Sequence, residues 1–147
     1  MSAVDVVETM WAAMYAGDWS TFRGCFTDDA VYYDVPVGPA AAARGPEHIE
    51  ARVRLGFDPL ERVRDESVTR IADGDVVMTE HVEVWDWPTG EHVELPFVSV
   101  QRLRDGKIAL WKDYWNQPTL MDAAPEWWHE RLATADLSWI FDATGSA

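Results

Sequence analysis

Residues 76–115 read VVMTEHVEVWDWPTGEHVELPFVSVQRLRDGKIALWKDYW. Two tight-turn signals, Pro88-Thr89-Gly90 and Asp105-Gly106, cut this stretch into three pieces. Each piece is rich in β-branched and aromatic residues and alternates in polarity, as strands do. The spacing predicts strands over 76–87, 93–103 and 107–115. Asp73-Gly74 marks a further turn, with a shorter strand over 67–72 before it. Four strands joined by short turns form an antiparallel meander. Because side chains alternate across a strand, Val77, Thr79, His81, Glu83 and Trp85 share one face. Val76, Met78, Val82 and Val84 share the other.

Upstream the pattern is helical. Ser2 can cap a helix in which Val4, Val7, Trp11 and Met14 recur at three- and four-residue spacing. Gly17 ends it, and Asp18 can cap a short second helix through Trp19, Phe22 and Phe26. A strand over 30–35 follows and is broken by Pro36, Gly38 and Pro39. Small residues at 40–43 form a loop. Gly45-Pro46 opens a third helix, with Ile49, Val53 and Phe57 four apart and Pro59 closing it. Downstream, 125–141 carries Trp127, Trp128, Leu132, Trp139 and Phe141, a helix or tail laid over the body. No repeat or linker interrupts the chain, so one domain over 1–147 is expected. The fold class is α+β: a curved antiparallel sheet wrapped around three N-terminal helices, with a pocket between.

Composition sets the partners. The 147 residues are 48% hydrophobic and 26% charged, an ordinary globular balance. The formal net charge of -14 repels phosphate backbones and anionic lipid, so neither nucleic acid nor a membrane is an expected partner. A neutral, apolar small molecule suits this surface better. The single cysteine, Cys25, excludes an intrachain disulfide and reads as a buried structural thiol between Phe22 and Phe26. The N-terminus shows no basic segment followed by an apolar run, and no stretch reaches membrane-span length. A cytoplasmic location is therefore expected. Nine tryptophans are many for this length and point to a wide, rigid apolar cavity.

The candidate chemistry lies on the strands. Ala109, Trp111, Asp113 and Trp115 share a face of the strand over 107–115. A carboxylate flanked by indoles loses hydration, so the pKa of Asp113 is expected to rise toward the range useful for proton transfer. Tyr32 and Asp34 share a face of the first strand. If Asp34, His81, Glu83 and Asp113 converge, three carboxylates and an imidazole meet in one cavity, and some of them are held neutral. Trp85, Trp111, Trp115, Phe97 and Thr79 are the expected substrate-contacting walls. Plainer readings stand beside these. His81 and Glu83 can face solvent on a wetted sheet face, and Asp113 can pair with Lys112 or an arginine. His92 and His129 read as surface residues. No spaced ligand motif supports a metal site at His81, Glu83 and Asp113, and no cofactor is expected.

The stretch AAMYAGDWSTFRGCFTDDAVYYD (12–34) resembles the opening of nuclear transport factor 2-like enzymes, ketosteroid isomerases and SnoaL-like proteins in particular. VPVGPAAAARGPEHI (35–49) is similar to their loop into the third helix. MTEHVEVW (78–85) and KIALWKDYWN (107–116) look most like limonene-1,2-epoxide hydrolases. That resemblance implies attack of water on an epoxide in one step. It implies Asp113 as the base, Glu83 as the acid and His81 in the place of an arginine that bridges them. Tyr32 and Asp34 would then help hold the water. Three positions depart from that pattern: His81 for arginine, Glu83 for aspartate and Asp34 for asparagine. Histidine can lose its charge near neutrality, whereas arginine cannot.

The alternative implied by the same resemblance is a SnoaL-like polyketide cyclase, isomerase or dehydratase with Asp113 or Asp34 as base. Asp34 follows FTDDA in the register of the ketosteroid isomerase base. Met10 occupies the place expected of that family's oxyanion-hole tyrosine. A non-catalytic small-molecule-binding protein is the third reading, since such folds host inert pockets. A homodimer is expected through a sheet face bearing Val82, Val84, Val98 and Val100.

Overall fold

Local chemistry places the first helix. In the computed structural model, which describes residues 1–145, α1 spans Ala3–Ala16. Ser2 Oγ accepts from Asp5 N at 3.2 Å, and Asp5 Oδ2 accepts from Ser2 N at 2.7 Å, a reciprocal cap. Gly17 stops the helix with φ of 70°, in the left-handed region that glycine enters without strain. Asp18 then caps α2 (Trp19–Gly24) by accepting from Thr21 N at 3.1 Å. Met10, Trp11 and Met14 of α1 and Phe22 of α2 are buried in the main core.

Next come β1 (Phe26–Asp34), β2 (Ala42–Arg44) and α3 (Pro46–Phe57), followed by β3 (Arg62–Asp73), β4 (Val76–Asp86), β5 (His92–Arg104) and β6 (Lys107–Trp115). The chain ends with α4 (Gln117–Ala123), α5 (Glu126–Ala133) and β7 (Ile140–Phe141). One curved, unclosed sheet contains all strands in the order β3-β4-β5-β6-β1-β2-β7. The α+β class and the wrapped sheet follow the sequence reading.

The differences have physical causes. β1 pairs with β6 in parallel: α3 carries the chain from β2 to β3 at the far edge, and three antiparallel pairings then return β6 to the side of β1. Residues 40–43, expected as loop, form a short 3₁₀ turn and then β2, which pairs with β1. β3 starts at Arg62, five residues before the expected 67. Its first half is charged apart from Val63 and half-buried at 63–65, so no apolar alternation betrays it. A register break between Glu66 and Thr69, with Ser67 at φ of 54°, separates the two halves. The stretch 125–141, expected as a helix or tail, holds the helix α5 and then β7, and a further helix, α4, precedes it.

The outer sheet face is less bare than expected. Val84 and Val100 are buried within the chain, while Ile71, Met78 and Tyr114 are large apolar residues exposed there. Cys25 is buried, its Sγ 3.4 Å from Thr21 O, and burial pushes its thiol upward, as a structural role requires. Among the described residues no helix is long and apolar enough to cross a membrane.

Candidate active site

Strand alternation sends one row of side chains from each of β1, β4, β5 and β6 toward the helices. Register then decides which of them meet. Asp34 lies opposite Asp113, and Tyr32 opposite Trp111, across the parallel β1–β6 pair. Ser99 of β5 lies opposite both Thr79 and Asp113. The space between this face and the helices is a cavity of about 350 Å³. Trp11, Trp85, Trp111, Trp115, Trp128 and Trp139 wall it. Gly56 on α3 lets the helix approach Trp85: a Cβ there would sit 3.3 Å from the indole. Leu120, Met121 and Leu132, from α4 and α5, complete one end.

Asp34, Glu83, Asp113, Tyr32 and Arg52 are the polar side chains that line the cavity. Asp113 Oδ1 accepts from Trp111 Nε1 at 2.6 Å and from Ser99 Oγ at 2.5 Å. Its Oδ2 lies 3.3 Å from the Tyr32 hydroxyl, which also donates to Asp34 Oδ1 at 2.9 Å. Asp34 Oδ1 further accepts from Trp115 Nε1 at 2.9 Å, and its other oxygen pairs with Arg52. Burial works against the charge of Arg52, but Asp34, Tyr32 and Asp113 together favour it and raise the guanidinium pKa. Glu83 Oε2 accepts from the Tyr15 hydroxyl at 2.5 Å and Oε1 from Trp85 Nε1 at 2.6 Å.

Burial dominates the titration of this group. It pushes Glu83 up to about 7, although its bonds from Tyr15 and Trp85 oppose the rise. Burial also holds Asp113 well above the usual carboxylate range, and the nearby Asp34 charge adds to the shift. The Ser99 and Trp111 bonds work the other way. Tyr32 and Tyr15 are pushed far up by burial and stay neutral donors at ordinary pH.

Two sequence-predicted residues stand outside the cavity lining. Thr79 is fully buried and accepts from Arg70 Nε at 3.0 Å, so it offers no wall to a substrate. His81 does not bridge Glu83 and Asp113. Its Nδ1 lies 2.8 Å from Asp65 Oδ2, its Nε2 lies 3.1 Å from Ser99 Oγ, and its ring stacks on Phe97 at 3.5 Å. Imidazole is shorter than a guanidinium side chain, and its two nitrogens are already spoken for. Phe97, Trp85, Trp111 and Trp115 do line the cavity. His92 is exposed, whereas His129 is half-buried and bonds Met121 O through Nε2 at 2.9 Å. No cluster of three His, Cys, Asp or Glu side chains suited to a metal occurs among the described residues.

Four participants escaped the sequence reading: Tyr15, Arg52, Ser99 and Asp65. Tyr15 lies four residues after Trp11, a same-face spacing that could have flagged it. Met10 is core, and the α1 tyrosine that reaches a buried carboxyl is Tyr15. Ser99 follows Phe97 by two on the inner face of β5, so alternation alone would have found it. Asp65 lies in the part of β3 that was not predicted, and nothing in the sequence ties Arg52 to Asp34.

A profile of the SnoaL-like domain matches residues 7–111, which carry α1 through Trp111. The chain belongs to the SnoaL-like domain family. Among solved structures, an epoxide hydrolase from M. tuberculosis of the limonene-epoxide-hydrolase-like (LEH-like) kind is 26% identical, with a TM-score of 0.66 over 82% of this chain and 87% of that one. A Jannaschia sp. CCS1 protein classed as a SnoaL-like polyketide cyclase is 20% identical, with a TM-score of 0.73 over 84% and 92%. TerC, co-crystallised with polyporic acid, is 17% identical, with a TM-score of 0.72 over 82% and 96%. The last two likenesses concern the fold alone. These neighbours share the fold, while their names range from epoxide hydrolase to polyketide cyclase.

Proposed function

We propose that this SnoaL-like protein is an enzyme that adds water to an epoxide of a small, largely apolar molecule without a cofactor. The observation that carries this reading is the pair of buried carboxyl groups in one tryptophan-walled cavity, with Glu83 pushed up to about 7. A carboxylic acid that keeps its proton near neutrality is an acid ready to donate. Asp113 is the base. As the water oxygen bonds to an epoxide carbon, one water proton passes to Asp113. The carbon–oxygen bond of the ring breaks, and its oxygen takes the proton of Glu83. Tyr32, between Asp34 and Asp113, helps position the water. Trp85, Trp111, Trp115 and Phe97 exclude bulk solvent and hold the apolar body. The similarity to the mycobacterial LEH-like epoxide hydrolase supports this choice.

The experiment is a single turnover in ¹⁸O-labelled water with a panel of terpene and styrene epoxides. Direct attack puts one labelled oxygen into the diol in the first turnover. An unlabelled first-turnover diol would mean that a side-chain oxygen attacked, and absence of diol across the panel would count against the reading.

A second reading is favoured by one contact. The Tyr15 hydroxyl donates to Glu83 Oε2, so a protonated Glu83 keeps its own O–H free to donate into the cavity, as an enolate oxygen would need. With Asp113 or Asp34 removing an activated C–H proton, the same cavity would serve a cyclase, isomerase or dehydratase. Solvent-deuterium exchange at a carbon beside a carbonyl would favour it over epoxide opening. A binding protein would leave either kind of ligand unchanged. We also propose that the chain works as a homodimer in the cytoplasm.

A further inference from the structure

Three buried or half-buried polar side chains behind the cavity have no part in the reaction as written: Ser99, His81 and Asp65. They form a line across adjacent strands. Asp65 Oδ2 of β3 is 2.8 Å from His81 Nδ1 of β4, and His81 Nε2 is 3.1 Å from Ser99 Oγ of β5. Ser99 Oγ is 2.5 Å from Asp113 Oδ1 of β6. Phe97 stacks on one face of the imidazole at 3.5 Å, and Trp11 meets it edge-on at 4.8 Å. His81 is 1% exposed, so the line is sheltered from bulk water.

The proton count is informative. Nδ1 faces a carboxylate and therefore carries a proton. Ser99 has one hydroxyl proton but two partners, Nε2 and Asp113 Oδ1. Both contacts are filled only when one more proton sits at either end of the line. In one arrangement Asp113 is protonated and donates to Ser99, which donates to Nε2. In the other, the Asp113 O–H bond has broken and an Oγ–H bond has formed, while the original Oγ–H bond has broken and an Nε2–H bond has formed. The second arrangement leaves Asp113 as carboxylate and His81 as imidazolium against Asp65.

We propose that Ser99 and His81 relay the proton of Asp113 to the imidazole, where Asp65 holds the resulting charge, so that Asp113 stands ionised in the cavity. The inference rests on the reading of Asp113 as base. It resolves a conflict in that reading: burial favours a protonated Asp113, whereas a base must have lost its proton. Ser99, His81 and Asp65 are positioning residues, since none of them touches substrate.

Other charges surround the line. Asp34 and Tyr32 of β1, Arg52 of α3 and Glu83 of β4 face Asp113. Asp65 of β3 meets His81, and Glu83, bonded to Tyr15 of α1, lies two residues along the same face of β4. Two residues the other way, Thr79 takes a bond from Arg70 of β3, which pairs with Glu8 of α1 at 3.0 Å. Through space alone, removing the Asp65 charge would make Asp113 easier to ionise. Through the relay it makes ionisation harder, because the imidazolium loses its partner. The two accounts differ in sign.

Carboxyl-carbon NMR titration of the intact protein reads this directly, with the Asp113 signal assigned by its absence in Asp113→Asn. The relay predicts that Asp65→Asn raises the pH at which Asp113 ionises by about one unit or more. His81→Gln shifts it the same way, and Ser99→Thr, which keeps the hydroxyl, leaves it in place. An unchanged or lowered value in Asp65→Asn overturns the proposal, whatever His81→Gln does. Failure of the base reading shows elsewhere, as undiminished turnover in Asp113→Asn, and the titration does not depend on that result.

Discussion

Glu83 ties stability to activity at the scale of one residue. Its carboxyl titrates ordinarily at 4.5 and at about 7 in the fold. Below 4.5 both folded and unfolded chains hold the proton. Between 4.5 and 7 the unfolded chain gives it up and the folded chain keeps it, so stability falls as pH rises through that window. The loss amounts to about 3 kcal/mol. Glu83→Gln removes the titration, so its melting temperature relative to the native chain should be higher at pH 8 than at pH 5. An equal difference at both values would show that Glu83 is not held neutral. The same proton is the one donated to the epoxide, so turnover should decline above about pH 7 and Glu83→Gln should lose that decline together with most of its rate. Alternation on β1, β4 and β6 made Tyr32, Asp34, Glu83 and Asp113 legible from sequence, because inward polar residues between tryptophans stand out. The same rule misjudged His81 and Thr79. Facing inward is not the same as reaching the cavity, and neighbours on β3 and β5 capture both side chains first.

At the scale of elements, β6 does most to build the site. Trp111 is 1% exposed, stacks on Tyr32 at 4.0 Å and donates to Asp113. Trp111→Ala should therefore lower stability by about 3–5 kcal/mol, measured by denaturant unfolding, and should loosen Asp113 as well. A loss below about 1 kcal/mol would show the indole to be dispensable to the core. Elements with a strong period, such as α1, α3 and β4 to β6, were readable. β2 and the first half of β3 were not: one is three residues of alanine and arginine, and the other is charged apart from Val63. Long-range pairing stabilises both, and pairing partners leave little trace in local sequence.

Across the whole molecule, the sheet runs from a long, largely exposed edge at β3 to a two-residue edge at β7, and the twist of its strands curls it. The cavity forms where α1, α3 and the C-terminal helices close over the concave side. Sequence pattern conveyed the wrapped sheet and the pocket, while the closing role of α4 and α5 showed only as a cluster of tryptophans. Outside, Met78 and Tyr114 remain exposed on the convex face. Sedimentation at micromolar concentration should give twice the chain mass of 16.7 kDa, and a single-chain mass would remove the homodimer.

The turnover rate of Asp113→Asn on the best-hydrolysed epoxide, compared with the native chain at equal thermal stability, bears most directly on the claim that a sheltered carboxylate takes the proton of the attacking water. The account predicts a fall of at least ~10²-fold with binding of the epoxide retained. A variant that hydrolyses the epoxide at the native rate would contradict it.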